Sequence, residues 1–287
     1  MSQFIPSEKG TTIRAPSTAN LMLDSADRQV TNFTTPWNFQ ITKTQALLNG
    51  FFTRIATTEV VLEWNEPNGN FWDQSVTATW ATGPATQTFT PLDPQSFYTA
   101  EAALDAFAEA LNTAFTTNVF EIVQLGGRTY LQTSDNTDFT IVPSALTRAL
   151  GFADVDLALN VSAHEVYSAP DLRPYRYLDF VSAQLTYNQD LKDGATNTQN
   201  RDVLCRWYFA WDQPPTVDGY GFPILMGMQP FVVRRIFNPP KQIRWDNIQP
   251  LGNVSFQVYG DDGNLPPDHP SGTEPSNWLM TLQVSEV

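Results

Sequence analysis

Only one long stretch of this sequence carries a helical period, and almost everything around it carries the period of a strand. In "FYTAEAALDAFAEALNTAF" (97–115), Leu104, Phe107, Leu111 and Phe115 recur every three or four residues, which makes one apolar stripe on a helix. Thr99 is a good N-cap, and Glu101 and Asp105 suit the positive end of the helix dipole. Before this segment, "TTEVVLEW" (57–64) puts Val60, Leu62 and Trp64 on one face, and 37–41, 75–81 and 86–90 also read as strands. After it, 119–133 reads as two strands around Gly126-Gly127, 138–142 as a third, and 144–152 as a short helix stopped by Gly151. Further strands are predicted near 161–167, 176–187, 203–211, 230–237, 242–248, 252–259 and 277–285, separated by loops rich in Pro, Gly, Asn and Asp. The pattern predicts a mainly-β chain, a β-sandwich interrupted by a small α+β insertion.

Composition narrows what such a chain does. At 287 residues and 41% hydrophobic content it can bury a substantial core. Charged residues make up only 16%, which suits a subunit that keeps much of its surface against partners. The net charge of −14 repels phosphate and argues against sequence-specific nucleic-acid binding. The charge is uneven: residues 1–58 hold five basic against three acidic residues, and Arg234, Arg235, Lys241 and Arg244 fall close together. That basic group reads either as a contact for an acidic neighbour or as a solvated face. Residues 1–35 are polar, lack a sustained period and read as an extended arm. No apolar run approaches the 18 residues of a membrane span, and the start has no leader pattern. Cys205 is the single cysteine and reads as a buried small hydrophobe.

Chemistry-bearing motifs are scarce. The two histidines, His164 and His269, lie far apart, and no hydrolase, zinc-protease, dinucleotide or phosphate-loop motif is present. "YGDDGNLP" (259–266) offers Asp261, Asp262 and Asn264 to calcium, but Asp262-Gly263 also suits a hairpin turn. Trp64, Trp80, Trp207, Trp211 and Trp245 read as core and interface ahead of a sugar platform. No cofactor or metal is implied. One cluster stays open: Asp24, Ser25, Asp27 and Arg28 behind Leu21 and Leu23, where Asp24 and Arg28 could pair across a helical turn.

That cluster, "LDSADR" (23–28), resembles the tag near the start of penton (vertex) minor capsid proteins of virophages, Polinton-like and adintovirus-like elements and their giant-virus relatives. "EVVLEWNEPN" resembles the family's first core strand and loop. "TFTPLDPQSFYTAEAALDAFAEALN" and "GRTYLQTSDNTDFTIV" with "LGF" resemble its insert, and "IQPLGNVSFQVYGDDGNLPPDH" with "WLMTLQVSEV" its last strand pair. The likeness spans most of residues 20–287, with Ala26 where the family often has Arg and a longer loop at 264–277.

The resemblance implies a single jelly-roll sandwich (36–97 and 156–287), an α+β insertion (98–155) and an extended N-terminal arm (1–35). It implies a non-enzymatic structural subunit whose homopentamer closes the five-fold vertices of an icosahedral virion, beside a double jelly-roll major capsid protein. Synthesis would be in a host cytoplasm or nucleus. It points to Leu21 and Leu23 as arm anchors and to Asp24, Ser25, Asp27 and Arg28 as a polar clasp. Arg234, Arg235, Lys241 and Arg244 are then candidate subunit or hexon contacts. The competing readings are a sandwich that binds a host receptor or glycan and, less favoured, a jelly-roll glycoside hydrolase or lyase.

Overall fold

The computed structural model describes residues 18–29, 31–42, 52–72, 74–82, 86–186, 203–209, 216–244, 252–267 and 275–285. In chain order the elements are β1 (Thr18–Asp24), β2 (Asn38–Thr42), β3 (Arg54–Trp64), β4 (Val76–Trp80), β5 (Thr86–Phe89), α1 (Ala100–Phe115), β6 (Phe120–Leu125), β7 (Arg128–Thr133), β8 (Phe139–Ile141), α2 (Ala145–Ala149), α3 (Asp154–Leu157) and β9 (Ala163–Glu165). They continue as β10 (Tyr177–Val181), α4 (Ala183–Thr186), β11 (Val203–Tyr208), β12 (Phe231–Ile236), β13 (Gln242–Arg244), β14 (Asn253–Gly260) and β15 (Asn277–Ser285).

The chain is mainly β, and its pairings are antiparallel. One sheet runs β1-β15-β3-β12, with β13 pairing the start of β3, and a second runs β11-β10-β14-β2. Alternate residues of β14 (Val254, Phe256, Val258) and of β15 (Trp278, Met280, Leu282, Val284) are buried, and both sets belong to one core. The period-2 text of these strands is therefore the imprint of two sheets facing each other. Trp278 sits at the middle of that core, with ring centroids 5.2–5.7 Å from Phe39, Phe180 and Phe256. Its indole N–H donates to the Pro36 carbonyl at 2.9 Å.

A second core is built by sheets β5-β4-β8 and β6-β7-β9 around α1. The predicted helix face is the buried one: Leu104, Phe107 and Leu111 are fully buried, and Phe115 nearly so. Thr99 caps the helix, accepting from the Ala102 N–H. Gly126 and Gly127 both take positive φ, the backbone of a two-residue hairpin, and join Leu125 to its partner Arg128.

The structure corrects several expectations. The second core also takes in β4, whose Val76, Ala78 and Trp80 are buried in it and which pairs with β5 and β8. Residues 18–24 of the expected aperiodic arm form an edge strand, since seven residues pair with β15. The strand predicted over 176–187 stops at Val181, where Ser182 accepts from the Thr186 hydroxyl and opens the turn of α4. Asp262-Gly263 does not join a hairpin, because β14 and β15 belong to different sheets.

Two crossings lead from the sandwich to the insertion, and Asn68 ties them together. Fully buried, its amide donates to the carbonyls of Tyr98 (2.9 Å) and Leu172 (3.3 Å), and its oxygen accepts from the Tyr98 N–H at 2.8 Å. The Trp72 indole donates to the same Leu172 carbonyl. Gly69 is needed beside it, since a Cβ there would stand 2.1 Å from the Asp93 carbonyl oxygen.

His164 on β9 is fully buried, edge-on to Phe139, with Nε2 3.2 Å from the Phe139 carbonyl and Nδ1 3.5 Å from Asp156. Burial pushes its pKa below the ordinary value, while the Phe139 carbonyl and Asp156 pull the other way. The unfolded chain then binds the proton more readily. The resulting stability is present above about pH 6.5 and is lost as pH falls below it. The melting temperature is expected to drop between pH 7 and 5, and the slope to flatten in His164→Gln. Trp278→Ala should cost about 3–5 kcal/mol in urea unfolding, the range for an emptied aromatic core site.

Candidate functional site

Two places gather the residues singled out in the sequence. At the first, β1 lies along β15 from Thr18↔Ser285 to Asp24↔Leu279. Strand alternation turns Leu23 into the core, leaves Leu21 half-buried against it and leaves Met22 81% exposed. The strand ends because Asp24 caps a tight turn, its carboxylate accepting from the Ala26 N–H at 2.8 Å. Ser25 is fully buried, and its hydroxyl accepts from the Trp278 N–H at 2.8 Å. Arg28, also buried, donates to the Ser25 carbonyl at 2.8 Å and reaches Asn277 at 3.4 Å. Burial lowers the Arg28 pKa, and Asp24 opposes this.

The structure therefore brings Leu21, Leu23, Asp24, Ser25 and Arg28 together on the chain's own β15 and leaves Asp27 exposed. The expected Asp24–Arg28 helical pair gives way to a strand followed by a capped turn. Asn277 was not singled out, because nothing in the sequence shows that residue 25 meets residue 277.

The second place is the side of the sandwich where the edge strands β11 and β12 lie. A cavity of about 610 Å³ opens there, and Arg206, Arg234, Arg235 and Lys241 all line it. Arg234 pairs with Glu59 across to β3, with Nη2 2.9 Å from Oε2, and this pairing lowers the Glu59 pKa. Arg235 lies 4.8 Å over the buried Trp207 ring. Lys241 donates to the Val203 carbonyl at 3.1 Å. Arg206 makes a two-pronged pair with the buried Asp179 at 2.7 and 2.9 Å and stacks 3.9 Å above Tyr177. The Asp179 hydrogen bond raises the Arg206 pKa.

Exposed Val232 (66%), Ile236 (64%) and Tyr208 (50%) flank this cationic patch. Arg244 lies apart on β13, opposite Arg54 at the far end of β3. Arg206 is a member that the sequence reading missed; its place between buried Cys205 and Trp207 on an alternating strand was the available signal. Cys205 itself is buried, which pushes its thiol up to about 12 and keeps it protonated at neutral pH.

The remaining candidates resolve into structure. Trp64, Trp80 and Trp207 are buried, so none of the three offers a flat face to a sugar. Trp211, Trp245 and His269 lie outside the described residues. The Asp262 carboxylate accepts from the backbone and side chain of Asn264 and closes its own turn. Among the described residues no group of three His, Cys, Asp or Glu side chains is placed to hold a metal, and no helix is long and apolar enough to cross a membrane.

No family model matches the sequence, and no curated protein matches it. Two solved structures have a similar course. One is the crystal structure of the mavirus penton protein, 11% identical, with a TM-score of 0.49 over 96% of this chain and 100% of that one. The other is a chain from the cryo-EM structure of the Sputnik virophage, also 11% identical, with a TM-score of 0.43 over 94% of this chain and 97% of that one.

Ser25→Ala would leave the Trp278 N–H buried without its acceptor, and should cost about 1–3 kcal/mol. Asp27→Ala, at an exposed position, should stay within about 0.5 kcal/mol of the parent. Chemical denaturation of the two variants side by side measures the contrast.

Proposed function

We propose that this chain is a structural capsid subunit, the vertex (penton) protein of an icosahedral DNA virus. In this reading the sandwich is a single jelly roll, and its homopentameric ring sits among double jelly-roll major capsid proteins in the virion. The observation that carries the reading is that the sandwich ends in two unlike sides. On one, β1 is clasped to β15 with Asp24 and Asp27 beside it. On the other, β11 and β12 frame a cationic cavity with exposed aliphatic residues. A ring closes through head-to-tail contacts between two different surfaces, and the two unlike sides of the sandwich supply them. The "LDSADR" tag and the segment order resembling penton proteins support the same reading. In this ring the β1 side of each copy faces the β11–β12 side of the next.

Light scattering after size exclusion of the tag-free protein tests this. A mass of five chains is expected, with ring-shaped views in negative stain. Arg235→Glu combined with Lys241→Glu should shift the population to smaller species with unchanged circular dichroism. A trimer would overturn the ring.

A further inference from the structure

Strand β5 is the outer strand of its sheet, and among the described residues nothing pairs with its free edge. Its backbone direction can be worked out from β4. The Val142 N–H donates to the Thr77 carbonyl, and the Ala81 N–H to the Asp138 carbonyl. Odd-numbered residues of β4 therefore face β8, and even-numbered ones face β5. Val76 and Ala78 pair with Phe89 and Gln87, so Gln87 and Phe89 spend their peptide groups on β4. Thr86 and Thr88 turn theirs toward the open edge.

Edge strands are commonly blunted by a charge, a proline or a bulge. The sequence Thr86–Phe89 has neither charge nor proline, and its register against β4 is unbroken. The strand is also held straight: the Thr88 hydroxyl lies 2.9 Å from that of Thr77, and the Thr86 hydroxyl 3.0 Å from that of Thr79. An acceptor edge already fixed in place loses little freedom when a further strand is added.

Beside this edge runs a groove of about 610 Å³, with residues 87–92 as one wall and α1 as the other. The helix presents Ala106, Ala110 and Ala114 to it. These lie about 6 Å apart along a helix, close to the roughly 6.8 Å between same-face residues of a strand. Small residues at that spacing leave room for alternate side chains of an added strand. The rim carries Glu109, which is exposed, whereas the Asp93 carboxylate is engaged by Gln95 and Ser96 within its own turn. Over residues 98–155 seven acids stand against two arginines.

From these features we propose that the groove between β5 and α1 is a strand-addition site for an extended peptide of another protein, with a lysine or arginine placed to meet Glu109. Main-chain bonds to Thr86 and Thr88 supply affinity, while the alanine-lined wall and Glu109 supply selectivity. This inference stands independently of the vertex reading.

The test uses the whole chain and two fluorescein-labelled nine-residue peptides of alternating valine and threonine, one with a central lysine and one with glutamate instead. Fluorescence anisotropy should show saturable binding of the lysine peptide, and the Thr86 and Thr88 amides should exchange more slowly in its presence. Thr88→Pro removes an outward N–H without touching the β4 ladder and should weaken binding about tenfold. Ala110→Phe fills the groove from the helix side and should do the same, so the test survives if the proline variant fails to fold. Glu109→Lys should reverse the preference between the two peptides. Failure of both peptides to bind, or equal binding of both, overturns the proposal. Self-association of the chain abolished by Ala110→Phe also overturns it, by making the occupant a second copy.

Discussion

Three parts of the chain are held at Trp278. Its ring fills the middle of the sandwich against Phe39, Phe180 and Phe256, its indole N–H ends on the Pro36 carbonyl, and its backbone N–H ends on Ser25. Aromatic burial supplies energy but little direction, while the two hydrogen bonds supply direction at modest net energy. Together they seat the "LDSADR" turn where β15 begins. β15 lies between β1 and β3, so the register of the arm strand and the packing of the two sheets are fixed from the same residue.

Legibility from sequence followed the range of the interactions. α1 was readable because its cap, its stripe and its alanines all lie within 17 residues. The Gly126-Gly127 hairpin was readable because a two-residue turn leaves few partners to choose from. The β1 strand was not: its text, "TANLMLD", has one apolar beat, and its pairing with β15 spans more than 250 residues. The membership of β4 was hidden for a related reason. Its alternation says that one face is buried, but not which core buries it.

The candidate sites show the same division. The charged residues of the tag drew attention, yet the buried neutral Ser25 makes the shortest side-chain contact with β15, Arg28 reaches Asn277 at 3.4 Å, and exposed Asp27 stands outside the clasp. On the far side of the sandwich, Arg234, Arg235 and Lys241 were visible as a cluster. Arg206 lines the same cavity from the other sheet, and only its place between Cys205 and Trp207 on an alternating strand pointed to it. Its partner Asp179 is buried and directly opposite on β10, so the pair lies on the face of the sheet turned away from the core.

The insertion joins the sandwich through two crossings, and Asn68, a buried side chain on the first, bonds to Leu172 on the second and to Tyr98 just before α1. Force applied at the insertion therefore reaches the sandwich along two covalent paths that are cross-linked where they arrive. A tug on α1 travels through Tyr98, and a tug on the returning chain travels through Leu172. Either one loads the same side chain and the adjoining end of β3. A pull on the insertion is thus shared between the two crossings before it reaches the sandwich.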